Sequence, residues 1–135
     1  MFKRLSITVV SALLIGSLLT ACGGGAPAPV TFSSLPLFTG ATESTNTALT
    51  SGLPETIDEL KKQPNAANVE GKAYDLPAGT TFDAVAAFYK DALEKGGWTV
   101  VTSAAPSLSY TRGSQGFNIT YMEGVGMWVF LVMRK

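Results

Sequence analysis

The stretch from Thr80 to Trp98, "TTFDAVAAFYKDALEKGGW", carries the clearest periodic pattern in the chain. Its apolar residues recur at helical spacing and would form one face: Val85, Phe88, Tyr89, Ala92 and Leu93. Spacings of three, four, seven and eight residues place side chains on the same side of an α-helix. Thr80 with Asp83 resembles a capping box, and Gly96 supplies a left-handed stop. The pattern predicts an amphipathic helix over residues 81–95.

Four strand-like runs follow this helix: "WTVVT", "LSYT", "GFNITYME" and "MWVFLVM". A two-residue turn at Gly124-Val125 suits a type II′ hairpin, because glycine stands first. A second turn is expected at Ser114-Gln115. Together the turns predict these cross-strand pairs: Tyr121 with Trp128, Ile119 with Phe130, Phe117 with Val132, Tyr110 with Ile119, and Leu108 with Tyr121. All the bulky residues of three strands then share one face, which predicts a three-stranded antiparallel meander.

Three shorter elements are expected before the long helix. A first strand is predicted around Thr42 to Leu49, and "LPETIDELKKQPN" is typical of a short helix with proline in its first turn. "ANVEGKAYDLPAGT" indicates a strand and a turn. With the long helix covering the bulky face, the sequence predicts a two-layer α+β fold. In it, one long amphipathic helix packs on a curled antiparallel sheet of about four to five strands.

The N-terminus, "MFKRLSITVVSALLIGSLLTAC", is typical of a secretory signal. Lys3 and Arg4 precede an apolar core from Ile7 to Leu19, which is a usual length for a signal peptide. An uncleaved transmembrane helix is the alternative, but it needs about 20 apolar residues. This run is shorter and is interrupted by serine, glycine and threonine.

"Leu19-Thr20-Ala21-Cys22" resembles the bacterial lipobox, in which the cysteine thiol receives a diacylglycerol and the signal is cut just before it. The resemblance implies residues 1–21 as signal peptide, 22–34 as lipidated cysteine and flexible tether, and 35–135 as a single domain. It implies a membrane partner through the lipid on Cys22. The protein would then lie outside the cytoplasm, on the outer leaflet of the cytoplasmic membrane or on the outer membrane.

Composition excludes several kinds of site. The chain has no histidine, and Cys22 is its only cysteine. Structural zinc sites, iron–sulfur clusters and histidine-dependent catalytic triads therefore each lack a required residue. No metal and no cofactor is expected. After cleavage before Cys22 the chain keeps eight basic and ten acidic residues, which argues against a nucleic-acid partner.

"LPLFTGAT", the "FY-x-x-x-L" pattern at Phe88 to Leu93, the following Gly97-Trp98 and the closing hairpin form a recognisable set. This set resembles a module that recurs in small uncharacterised bacterial lipoproteins. The resemblance covers most of residues 35 to 135. Its marks are structural, so it implies a fold and a location and transfers no active residue.

The sequence is compatible with three kinds of function. The first is a non-catalytic binding or structural module at the membrane surface, for example a peripheral subunit of a membrane complex. Because "MWVFLVM" is apolar throughout, one side of that strand is either covered by the Leu35–Phe38 cluster or the Ile57–Leu60 helix, or free to dock a protein partner. The predicted register assigns that side these residues: Met127, Val129, Leu131 and Met133.

The second is a small-ligand binder with a pocket between helix and sheet, lined by Tyr89, Tyr110, Tyr121 and Trp128. The third, an enzyme, is disfavoured. The carboxylate pairs, Asp58 with Glu59 and Asp91 with Glu94, fall on expected solvent-facing helix surfaces, and no nucleophile motif is present. We therefore expect no catalytic residue.

Overall fold

A six-stranded antiparallel sheet organises residues 28–135, the part of the chain that the computed structural model describes. A 3₁₀ turn at Phe32–Ser34 comes first. The elements are β1 (Thr42–Glu43), α1 (Thr47–Thr50), α2 (Leu53–Lys61), β2 (Ala66–Asp75), α3 (Phe82–Lys95), β3 (Thr99–Ala104), β4 (Ser107–Arg112), β5 (Gln115–Met122) and β6 (Gly126–Arg134). The strand order is β1-β2-β6-β5-β4-β3. The α+β class is confirmed, with six strands where about four to five were expected.

The long helix predicted from the periodic stretch is α3, and its bounds agree to one residue. Its N-cap is Thr81, whose hydroxyl accepts a hydrogen bond from the Ala84 N–H at 3.2 Å. The predicted cap at Thr80 is thus one residue early. Three residues of the predicted stripe are fully buried: Val85, Tyr89 and Leu93. Phe88 and Ala92 lie at the margin of the stripe and are half-buried.

The predicted first strand around Thr42 to Leu49 is wrong in extent. Only Thr42 and Glu43 pair, with Asp75 and Tyr74 of β2. The chain then turns into α1, because the Asn46 side chain caps a helix by accepting from the Ala48 N–H at 2.9 Å.

The predicted meander is confirmed, but its β5–β6 register is off by one residue. Tyr121 pairs with Met127, and not with Trp128. The loop between these strands holds three residues, because the Val125 N–H donates to the Met122 carbonyl at 3.0 Å. Gly124, with φ 68°, takes the third position of that turn, where a positive φ favours glycine.

The β4–β5 turn lies at Gly113-Ser114, one residue earlier than predicted, since Arg112 pairs with Gln115. This change moves each partner by two residues and so keeps the faces. The one-residue change in β5–β6 pairing instead exchanges the two faces of β6. Leu108, Tyr110, Phe117, Ile119 and Tyr121 therefore face α3 as predicted, whereas Trp128, Phe130 and Val132 face away from it.

A second helix covers part of the opposite face, so the two-layer prediction is incomplete. α2 packs over β2, and its Ile57 lies close to Phe130 of β6 above the bare backbone of Gly71. The suggestion that the Ile57–Leu60 helix covers the second face is confirmed for this half of the sheet. The Leu35–Phe38 cluster packs instead on the α3 side, where Phe38 meets Phe88 edge-to-face with ring centroids 5.4 Å apart.

Residues 28–34, predicted as tether, contact the domain. Val30 and Phe32 pack against the α3-side core. The Gln115 side chain holds the Val30 backbone through two hydrogen bonds of 3.0 Å, one to each of its polar groups. The boundary predicted at residue 34 is therefore too late, because a buried amide in the β4–β5 hairpin fixes the chain from Val30 onward.

Candidate functional site

A groove lies on the α2 side of the sheet, beside the helix. Its volume is about 360 Å3, near the lower end of the usual range for small-molecule sites of about 300–1,000 Å3. α2 and the loop after it form one wall, and strands β4 to β6 form the floor. The residues that line the groove include Thr56, Leu60, Ser107, Ser109, Asn118, Thr120, Phe130, Val132 and Arg134.

The groove exists because α2 covers only half of this face. On the covered half, small residues of β2 oppose large ones of β6: Gly71 lies opposite Phe130, and Ala73 opposite Trp128. The absence of bulk on β2 lets the helix come close. On the uncovered half, polar residues pair across β4 and β5: Ser107 with Thr120, and Ser109 with Asn118.

These four polar side chains are half-buried. Hydroxyls donate and accept hydrogen bonds, and the Asn118 amide offers two donors and an acceptor. Phe130 and Val132 border them with apolar surface. The floor therefore offers hydrogen-bonding groups beside an apolar edge, which is the usual chemistry of a small-molecule site.

Arg134 closes one end of the groove. Its guanidinium lies over the bare backbone of Gly116, where a Cβ would approach Nη2 to 3.4 Å. Among residues 28–135, the structure shows four ion pairs, and Arg134 takes part in none of them. An unpaired guanidinium at the end of a polar groove favours a ligand that carries a carboxylate or phosphate.

The predicted partner surface is wrong. Met127, Val129 and Leu131 are at most 3% exposed and belong to the core cluster under α3. Met133, on the same side, is half-buried and its sulfur lies 3.2 Å from the Gln115 amide nitrogen. The cause is the one-residue register change, which turns these four side chains toward the helix and Trp128, Phe130 and Val132 toward α2.

The predicted aromatic pocket between α3 and the sheet is filled by its own side chains. Tyr89 and Tyr110 are at most 1% exposed, and the Tyr89 ring packs on Phe117 at 5.4 Å. Tyr121 is buried and its hydroxyl donates to the Thr80 carbonyl at 2.7 Å. Trp128 lies on the other face, where its indole N–H donates to the Leu49 carbonyl. These aromatic residues are core, not pocket lining.

Burial raises the pKa of Tyr89 well above its ordinary value, against the smaller opposite effect of the Phe38 N–H that donates to its hydroxyl. Burial, followed by the charge of Glu94, also raises the pKa of Tyr110. Both phenols therefore stay neutral across the physiological range. This is the behaviour of core tyrosines that hold structure.

The predicted carboxylate pairs lie at the surface. Asp58, Glu59 and Asp91 have side chains 64–72% exposed, and each pairs with a lysine on its own helix. Within residues 28–135 no group of three or more Asp, Glu, Cys or His side chains is arranged to hold a metal ion. No helix in that range is long and apolar enough to cross a membrane. Cys22 lies outside the described residues.

Sequence reasoning missed the groove. The available signal was alternation: Ser107 and Ser109 alternate with buried Leu108 and Tyr110. Such a pattern also marks an ordinary solvent-facing strand. Only the position of α2 turns this polar surface into the floor of a groove.

The comparisons with known proteins give one partial match. A family model described as START domain-like matches residues 77–124, about a third of the chain. The matched segment holds α3 and strands β3 to β5, which is the helix-on-sheet part of the fold. No curated protein and no solved structure matches the chain.

Proposed function

We propose that this protein is a lipid-anchored, extracytoplasmic binding module that takes a small polar ligand in the α2 groove and does no catalysis. The groove carries the binding half of the proposal: polar side chains of β4 and β5 lie beside an apolar edge, and one end is closed by Arg134, which forms no ion pair with the residues that the structure describes. The START domain-like match over 77–124 supports a ligand-binding module at the level of the fold.

The anchoring half of the proposal rests on the sequence. A signal-like segment ends in a lipobox-like tetrapeptide at Cys22, and the next charged residue is Glu43. One acyl chain binds a membrane only marginally, whereas two or more anchor a protein stably. A lipid on Cys22 would place the groove at the membrane surface outside the cytoplasm.

The groove is tested by NMR on the mature protein with a panel of small hydroxylated and carboxylated probes. Binders should shift the backbone amides of Ser109 and Asn118. Thr120→Phe fills the groove and should abolish those shifts. Thr42→Phe, the same change at an exposed position on β1 away from the groove, should leave them intact. Probes that shift other surfaces, or that bind Thr120→Phe equally well, would contradict the groove.

The anchor is tested by metabolic labelling with radioactive palmitate. Label should enter the wild-type protein and not Cys22→Ala, and the variant should leave the membrane in a carbonate wash. A Cys22→Ala protein that resists the wash would show that an uncleaved helix holds the chain.

A further inference from the structure

We propose that one end of the domain rests on the anionic headgroup surface of the bilayer that carries its anchor; this inference depends on the anchoring at Cys22 proposed above. That end, here called the tether end, contains Ala28, the β4–β5 turn at Gly113-Ser114 and the C-terminal Lys135. The opposite, distal end contains the β5–β6 loop at residues 123–125.

The first observation is that hydrogen bonds hold the chain to the domain at the tether end, from Ala28 onward. The Arg112 guanidinium donates to the Ala28 carbonyl at 2.9 Å and to the Gly96 carbonyl at 3.0 Å. It also lies over the Trp98 ring, 5.2 Å from the centroid. Gln115, only 3% exposed, binds both backbone groups of Val30. The chain therefore enters the folded domain at the tether end.

The second observation is the length of chain between Cys22 and the start of the domain, compared with the length of the domain. Six residue steps separate Cys22 from Ala28, and an extended chain spans at most about 3.6 Å per step, hence at most about 22 Å in all. The eight residues of β5 span about 27 Å from the tether end to the distal end. The anchor therefore holds the tether end near the bilayer, and the distal end reaches the bilayer only if the domain lies on its side.

The third observation is the distribution of charge. Of the ten basic residues in the chain, two precede residue 28 and six lie at the tether end. These six are Lys61, Lys62, Lys95, Arg112, Arg134 and Lys135. The distal end is acidic, with Glu43, Glu55, Asp75, Asp83 and Glu123, of which Glu43 pairs with Lys72.

Part of this asymmetry serves the helices, because both α2 and α3 end at the tether end and lysine stabilises a helix C-terminus. Lys61, Lys62 and Lys95 also pair with carboxylates of their own helices. Arg112 donates to the carbonyl of Gly96, the C-cap residue of α3. Arg134 and Lys135 have neither a helix to cap nor a carboxylate within 4 Å among the described residues. They remain to attract anionic headgroups, over a Debye length of about 8 Å at physiological ionic strength.

The test uses the full lipidated protein, reconstituted in vesicles with nitroxide-labelled headgroups as quencher. A fluorophore is placed on Ser114→Cys at the tether end or on Val125→Cys at the distal end, both exposed positions. Since the lipid blocks Cys22, each chain should carry one label. On phosphatidylglycerol vesicles the Ser114→Cys label should be quenched at least about twice as strongly, because the distal label lies about 27 Å farther along β5.

Charge is tested by one substitution at two exposed lysines. Lys135→Glu, at the tether end, should narrow the difference in quenching, as should neutral phosphatidylcholine vesicles. Lys90→Glu, in the middle of α3, should not. Equal quenching of the two labels, on vesicles that still float with the protein, would overturn the contact. A difference in quenching that changes neither with Lys135→Glu nor with neutral lipid would also overturn it. If the protein no longer floats with the vesicles and each chain carries two labels, Cys22 is not lipidated. This result would overturn the anchor, and the contact with it.

Discussion

At the scale of single residues, Gly126 determines where β6 can begin. Its φ is 154°, and a Cβ built there would collide with the carbonyl oxygen of Tyr74 and approach the Leu49 side chain to 2.7 Å. The backbone of β6 therefore lies directly against β2 and α1 at this point. Any side chain would push these elements apart.

We expect Gly126→Ala to lower the free energy of unfolding by about 2–3 kcal/mol, because overpacking against backbone cannot be relieved by a rotamer change. Gly124→Ala is the matched control. Gly124 also has a positive φ, 68°, but nothing lies within 4 Å of a Cβ there. It should cost about 1 kcal/mol, from backbone strain alone. Urea denaturation measures both, and equal losses would show that the Tyr74 contact is unimportant.

The loop before β6 explains why the sequence could not determine the faces of this strand. "MEGVGM" allows a two-residue loop at Gly124-Val125 or a three-residue loop at residues 123–125, and the two loops differ by one residue in register. Elsewhere the alternation of polar and apolar residues decides such a choice. β6 is apolar at nearly every position, because α3 covers one face and α2 the other, so no alternation was available.

At the scale of elements, the position of α2 depends on the small residues of β2. A Cβ on Gly71 would lie 2.7 Å from the Phe130 ring and 3.0 Å from the Ile57 side chain. Three elements therefore meet where β2 has no side chain. Since α2 forms one wall of the groove, this contact also sets the width of the groove.

Gly71→Ala should destabilise the domain by about 1–3 kcal/mol, since the added methyl overpacks the contact between helix and sheet. Ile57→Val removes one of the two clashing groups and should cost less in the Gly71→Ala background than in the wild type. A double-mutant cycle from urea denaturation measures this coupling. Strictly additive effects would show that Ile57 does not pack over Gly71.

The helices were the predictable elements, because periodicity and caps are local. α3 and α2 follow from the spacing of their apolar residues and from Pro54 in the first turn of α2. The left-handed stop expected at Gly96 lies one residue later, because Gly97 has φ 80° whereas Gly96 has φ −84°. The strand predicted around residues 42–49 failed because Asn46 caps a helix there, and threonine-rich sequence suits a strand equally well. The groove could not be predicted at all, because it depends on how far α2 extends across the sheet.

At the scale of the whole molecule, the N-terminal segment is part of the core. Val30, Phe32, Leu35 and Phe38 pack on the α3-side cluster, and the Phe38 N–H donates to the buried Tyr89 hydroxyl at 3.3 Å. The segment thus crosses from the tether end over the helix face before β1. It would link the anchor proposed at Cys22 to the most deeply buried part of the domain.

A chain that begins at residue 28 should unfold at the same urea concentration as one that begins at Cys22, because it keeps all the contacts described for the segment. A chain that begins at residue 39 loses four partly buried apolar side chains and the partner of Tyr89. It should be less stable by on the order of 4 kcal/mol, from lost apolar burial. For a domain of this size that is a large share of the total free energy of unfolding.

Phe38→Ala should produce part of the loss. Leu37→Ala, at a neighbouring side chain that is 43% exposed, should change stability by no more than about 0.5 kcal/mol. If the two truncated chains unfolded at the same midpoint, residues 28–38 would be tether after all, and the domain would begin where the sequence first suggested.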